Sequence, residues 1–280
     1  MSANHQPIGV FDSGVGGLSV LRRNHADLPN ETLLYVADSG HAPYGNKPDP
    51  FIVRRAFALT EFLLSQDVKA VVVDCNTATA AAIAPLRSHF AVPLIGIEPA
   101  IKPAVAETRS GIVGILATGN TVRSDKFAVL LDQYGHRARI MVQPCPGLAD
   151  CVERGDLSGP RPQTLLTRYL EPLLEQGVDT LVLGCTHYPF LSPLIRQLAG
   201  PDVVILDPSP AVARQLRRRL EAEALRADGG AAGGQRYFSS GLPLEPTARL
   251  MAQLLERPIT LEILPDRFRR VESSMIAYPC

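Results

Sequence analysis

Residues 71–77 read Val71-Val-Val-Asp-Cys75-Asn-Thr77, and residues 181–187 read Leu181-Val-Leu-Gly-Cys185-Thr-His187. Each is an apolar run that stops at a cysteine and continues in amide or hydroxyl residues. Short continuous runs rich in Val and Leu are the pattern of strands buried on both faces, as in parallel sheets covered by helices. Side chains just past such a strand stand at its carboxyl end, where open α/β sheets bind ligands. The two stretches therefore predict an α/β fold with one thiol at the ligand-binding end of each of two strands.

Similar runs extend this pattern outward. Strands are predicted over 7–11, 32–37, 70–73 and 93–97, and then over 111–116, 139–143, 180–183 and 203–206. Helical stretches lie between them, which is the order of βαβ units. One helix is predicted to open at Asp49-Pro50, as N-cap and first turn, with Ile52, Ala56, Leu59 and Leu63 on one face. Another opens at Ser209-Pro210, and its arginines from Arg214 to Arg219 read as a solvated face. Residues 229–234 form a glycine-rich loop. A strand over 236–238, a helix over 245–255 and a strand over 260–264 follow, and the last dozen residues read as frayed. Asp12-Ser13-Gly14 ends an early strand of the first series, and Ala117-Thr118-Gly119 ends one of the second. The intervals from Asp12 to Cys75 and from Thr118 to Cys185 are similar, so the chain reads as two related halves.

Composition excludes several classes. The 280 residues hold 28 basic and 28 acidic side chains, a net charge of zero, which argues against a nucleic-acid partner. Apolar residues make up 46%, enough for a real core. No run reaches the ~18 apolar residues of a membrane span, and the N-terminus has no signal-like pattern. The expected location is the cytoplasm, with no membrane partner. The first strand starts only a few residues into the chain, so no long N-terminal regulatory segment is expected. Five cysteines are an odd and sparse set, not a disulfide framework. No CxxC or HExxH occurs, and no metal site is expected. Cys145, Cys151 and Cys280 lack the strand-end context and are assigned to packing or surface.

The paired thiols suit one chemistry. Inverting a carbon that carries an acidic proton needs a base on one face and an acid on the other. Two like groups can exchange these roles, and a helix start after each cysteine is expected to favour the thiolate. Ser13, Asn76, Thr77 and Thr186 are neutral donors of the kind that would hold a substrate carboxylate. Rival readings exist. Gly14-Val-Gly16-Gly17-Leu-Ser19 partly imitates a dinucleotide loop, with Asp38 in the place of the ribose-binding acid. A P-loop fails because Val15 stands where lysine is required, and no GxSxG occurs. Taken singly, His187 reads as a structural histidine, Asp12 as a helix cap, Tyr44-Gly45 as a turn and Glu153 as an exposed helix residue.

Phe11-Asp-Ser-Gly-Val-Gly-Gly-Leu18, Ala42-Pro-Tyr-Gly45, Cys75-Asn-Thr-Ala78 and Gly184-Cys-Thr-His-Tyr-Pro189 together resemble the motifs of bacterial glutamate racemases. The resemblance runs from about residue 7 to Gly241, where Phe238-Ser-Ser-Gly241 is also familial. It implies a cofactor-independent racemase of L- and D-glutamate that supplies D-glutamate for peptidoglycan, often as a homodimer. It also implies two α/β domains with mostly parallel sheets, related by a pseudo-twofold and facing each other across the active site. The expected bounds are 1–97 with 209–270 for the first domain, 98–208 for the second, and 271–280 as a tail. Residue by residue, Cys75 resembles the base for D-glutamate and Cys185 the base for L-glutamate. Asp12 resembles the carboxylate beside the first thiol, His187 the helper beside the second, and Glu153 a further acidic helper. Substrate contacts are implied for Asp12, Ser13, Tyr44, Gly45, Asn76, Thr77, Thr186 and His187, with Thr118 and Thr121 as further carboxylate binders. An aspartate racemase or a decarboxylase on the same scaffold is the nearest rival. One residue departs from the pattern: Asp74 stands where the family usually has a small apolar residue. Its side chain is expected to point away from Cys75 and to be hydrogen-bonded or only partly buried.

Overall fold

The computed structural model describes residues 3–270. The tail at 271–280, with Cys280, lies outside the described residues. Ten strands form two sheets among them. β1 (Ile8–Asp12), β2 (Leu33–Ala37), β3 (Ala70–Val73) and β4 (Leu94–Gly96) belong to the first sheet, and β5 (Ile112–Ala117), β6 (Arg139–Pro144), β7 (Thr180–Gly184) and β8 (Val204–Leu206) form the second. β9 (Gln235–Ser239) and β10 (Leu261–Ile263) return to the first. The orders are β10-β9-β2-β1-β3-β4 and β6-β5-β7-β8, and every pairing is parallel.

Burial explains the continuous apolar runs. β1, β2, β3 and β7 are buried at every position, because helices cover both faces of each sheet. β6 differs: as an edge strand it is only half-buried and exposed at both ends. In the first sheet, Val10 and Val72 pack toward the helix Leu18–Asp27, while Phe11 and Val73 pack toward the helix Asp49–Leu64.

The helix starts differ in detail from the sequence expectation. Asp49 is itself the first helical residue, after Pro48, and no side chain caps that helix. Its predicted face holds, with Ile52, Ala56, Leu59 and Leu63 all fully buried. Ser209 likewise lies inside its helix. The capping carboxylate is Asp207, which accepts from Ser209 N at 2.8 Å and Ser209 Oγ at 2.6 Å. Arg214, Arg218 and Arg219 are solvated as expected, whereas Arg217 reaches Asp27 O at 2.7 Å.

The β1 and β3 ends of the first sheet and the β5 and β7 ends of the second face one another. Three threonine hydroxyls meet there: Thr77 Oγ1 lies 2.9 Å from Thr118 Oγ1, which lies 2.9 Å from Thr121 Oγ1. Thr77 follows β3 and Thr118 follows β5, so residues just past one strand of each sheet touch.

Candidate active site

The loop after β1 and the loop after β7 carry most of the site. Asp12, the last residue of β1, is fully buried. Its Oδ1 accepts from Gly14 N at 2.7 Å and Ser13 Oγ at 3.1 Å, and its Oδ2 accepts from Thr186 Oγ1 at 2.8 Å. Asp12 therefore joins the two sheets at their ligand-binding ends. Burial raises its pKa to about 6 from 3.8, against the pull of His187 and of the Thr186 and Gly14 donors.

Cys75 lies beside this carboxylate, with Ser13 Oγ 3.6 Å from its sulfur. It caps the helix Asn76–His89, and Ala78 N donates to Sγ at 3.4 Å. The helix begins directly after the cysteine. The expectation that this helix start would favour the thiolate fails. Burial pushes the Cys75 thiol strongly up, and the charge of Asp12 adds to it, so the Ala78 and Ser13 donors only partly offset the rise. Cys75 rests as a thiol, poised to give a proton.

Cys185 follows β7. The helix start expected behind it is a short 3₁₀ helix, Tyr188–Leu191, with Pro189 in its first turn, and the α-helix begins only at Ser192, so Cys185 has no α-helix directly behind it. Its partner is an imidazole instead. His187 Nδ1 is 3.6 Å from Cys185 Sγ, and His187 Nε2 is 2.6 Å from Glu153 Oε1. Burial alone would lower the His187 pKa, but the hydrogen bonds to Cys185 and Glu153 outweigh it and hold the ring charged. Glu153 also accepts from Val15 N at 2.8 Å, and its side chain is 15% exposed, so it is not a solvated helix residue.

The glycines of 14–17 serve close approach. A β-carbon on Gly14 would collide with the Glu153 carboxylate, and one on Gly16 with the His187 ring and Thr186 Oγ1. Asp38, read as a possible ribose-binding acid, is fully buried and accepts from Arg55 Nε at 2.9 Å and Nη2 at 2.7 Å. Nothing in this arrangement offers a dinucleotide its site.

The four cysteines among the described residues are free. Cys75 and Cys185 stand one on each sheet, near enough for a charge on Cys185 to add a little to the rise at Cys75. Cys145 and Cys151 are buried packing residues, as the sequence suggested. Asn76 is 4% exposed, and neither its amide nitrogen nor its oxygen has a hydrogen-bond partner. The Tyr44 phenol donates to Asp38, so Tyr44-Gly45 turns backbone toward the second sheet.

Asp74 corrects one half of the sequence expectation, that its side chain is hydrogen-bonded or only partly buried. It does point away from Cys75, on the face of Val10 and Val72. There, a β-carbon on Gly17 would lie 2.8 Å from Asp12 Cβ and 3.1 Å from Asp74 Cβ. Yet it is fully buried, and neither carboxylate oxygen has a partner. The helix Leu18–Asp27 closes that face to solvent. A bare buried charge is costly, and burial together with Asp12 and Asp207 pushes the Asp74 pKa well up, so the group is held neutral. The folded chain thus keeps a proton that the unfolded chain releases above its reference value of 3.8. That contribution to stability is complete below 3.8 and is lost as pH rises toward the folded-state pKa. Asp74→Asn, neutral at every pH, should therefore melt a few degrees above the parent at pH 8. The gap should close by pH 4, as read by calorimetry at the two pH values.

Two residues near the site escaped the sequence reading. Arg55 is 1% exposed on the packed face of its helix, and Asn120 bridges the sheets. A charged residue at a buried helical position is a signal for a partner carboxylate, and Arg55 carried it.

Comparisons with known proteins agree with the geometry. The Asp/Glu/hydantoin racemase family profile matches residues 18–216. The glutamate racemase of Methylococcus capsulatus is 56% identical over 268 residues, which cover 96% of this chain and 98% of that protein. The crystal structure of glutamate racemase isoform RacE1 from Bacillus anthracis superposes with a TM-score of 0.86 at 32% identity, covering 94% of this chain and 99% of that one. Escherichia coli glutamate racemase, solved with L-glutamate and the activator UDP-MurNAc-ala, gives a TM-score of 0.81 at 32% identity, over 92% and 98% of the two chains. The chain belongs to the Asp/Glu/hydantoin racemase family.

Proposed function

We propose that the protein interconverts L-glutamate and D-glutamate by a two-base thiol mechanism without a cofactor, and so supplies D-glutamate for peptidoglycan. The observation that carries this reading is the pair of sulfurs, each on its own sheet and each with its own proton partners: Ser13 and Asp12 for Cys75, His187 and Glu153 for Cys185.

In the L-to-D direction, Cys185, its own proton lodged on the charged His187 ring, takes the α-proton of L-glutamate. The resulting carbanion is planar, and Cys75, resting as a thiol, delivers a proton to the opposite face. In the reverse direction Cys75 first loses its proton to Asp12, joined to it through Ser13, and takes the α-proton of D-glutamate, while Cys185, reprotonated from His187, delivers a proton to the opposite face. The α-carboxylate and side-chain carboxylate of the substrate are met by neutral donors from Ser13, Asn76, Thr77, Thr118, Thr121 and Thr186. Arg55, the nearby buried cation, is engaged by Asp38. Tyr44 and Gly45 contribute backbone groups.

Residues 1–97 with 209–270 form one domain of this reading and 98–208 the other, with the site between them. Among the described residues no helix is long and apolar enough to cross a membrane. A cytoplasmic homodimer with glutamate as its small-molecule partner completes the proposal. Polarimetry or circular dichroism tests it: purified protein with L-glutamate and no added cofactor should drive the signal to zero, while aspartate stays unchanged. A stable signal with glutamate, or equal turnover of aspartate, would overturn the substrate assignment.

A further inference from the structure

We propose that Asn120 is a positioning residue, a clasp that sets how closely the two sheets hold the substrate between them. Asn120 lies just past β5 of the second sheet. Its Nδ2 donates to two carbonyls of the first half, Tyr44 O at 3.2 Å and Lys47 O at 2.6 Å. The amide cannot be turned the other way. The Arg123 guanidinium donates to Asn120 Oδ1, and a guanidinium has no acceptor to offer an amide nitrogen.

The segment that the clasp holds is fixed from its own side. Tyr44 is buried, and its phenol donates to Asp38, which Arg55 grips with two nitrogens. Residues 44–47 therefore form a firm strap on the first sheet, and Asn120 ties the second sheet to it. Gly45 lies at the tie: a β-carbon there would meet Thr118 Cβ at 3.2 Å. Thr118 Oγ1 in turn contacts Thr77 and Thr121. The clasp thus acts where donors from the two sheets converge, away from the sulfurs. Breaking it leaves each sheet, its core and the Tyr44–Asp38–Arg55 anchor intact, and loosens only their mutual approach.

This assignment rests on the racemase reading and deepens it. Asn120→Ala removes the donors. Asn120→Asp keeps the shape but turns a carboxylate oxygen toward two carbonyls, exchanging attraction for repulsion. The expected KM for glutamate therefore rises from parent to Asn120→Ala to Asn120→Asp, with the last about tenfold above parent. The turnover number should stay within about threefold in both variants, because the proton partners of the sulfurs are untouched. Hydrogen exchange of the amides in 42–48, measured on the substrate-free proteins, gives a readout independent of activity and should be faster in Asn120→Asp. A parent KM and parent exchange in Asn120→Asp would overturn the clasp, as would a loss confined to turnover. A parent enzyme inactive on glutamate would instead sink the racemase reading, and the exchange result would still decide the clasp.

Discussion

Cys75→Ser and Cys185→Ser should each abolish net racemisation, with turnover down by at least about a thousandfold in both directions. A serine hydroxyl is far too weak an acid to reach the alkoxide needed as a base. The two variants should differ in what they retain. With Cys75 replaced, Cys185 and His187 can still take and return the proton of L-glutamate. With Cys185 replaced, Cys75 can still exchange that of D-glutamate. Incubation of each enantiomer in deuterated water, read by proton NMR at the α-carbon, should show exchange confined to L-glutamate in the first variant and to D-glutamate in the second. Full turnover in either variant would remove that cysteine from the mechanism.

Asp12→Asn should give the second large effect, a fall of about a hundredfold in kcat/KM. The interconversion of mirror images has an equilibrium constant of one, so kcat/KM must fall equally from both directions. The direction-specific evidence is in exchange: loss of the α-proton of D-glutamate, which needs Cys75 deprotonated, should suffer, while that of L-glutamate is largely kept. The pH profile carries a further signature. Burial raises the Asp12 pKa to about 6, so its carboxylate form is present above that pH and is lost below it. Parent kcat/KM should therefore fall off below about pH 6, and Asp12→Asn should lack that limb. An Asp12→Asn profile with the parent's acid limb and near-parent rate would place the proton transfer elsewhere.

Much of this was legible in the chain. The apolar runs leading to Cys75 and Cys185 located two central strands, because strands covered on both faces are mostly apolar and keep their polar residues near the ends. The motif resemblance brought Asp12, Glu153 and His187 into view. Contacts between distant residues were not legible from local pattern. Glu153 meets His187 within the second half and Val15 across to the first, and only the packed structure brings them together. The return of β9 and β10 beside β2 was likewise invisible in the two-halves pattern, since nothing in a short strand names its neighbour. Charge states failed for a related reason. A helix start after Cys75 is visible in sequence, but the depth of burial that overrides it is not. Asp74 shows the same limit: strand alternation gave its direction correctly, while the closing of that face by Leu18–Asp27 depends on the fold.

The central claim is that two groups, one on each face, handle two different protons. The most direct test follows L-glutamate in deuterated water without a cofactor, with each enantiomer separated and its α-carbon label measured in the first few per cent of conversion. The account predicts that newly formed D-glutamate carries deuterium in every molecule while the remaining L-glutamate is still unlabelled. D-glutamate that keeps its original proton, or L-glutamate labelled as fast as product forms, would show a single base serving both faces and would contradict it.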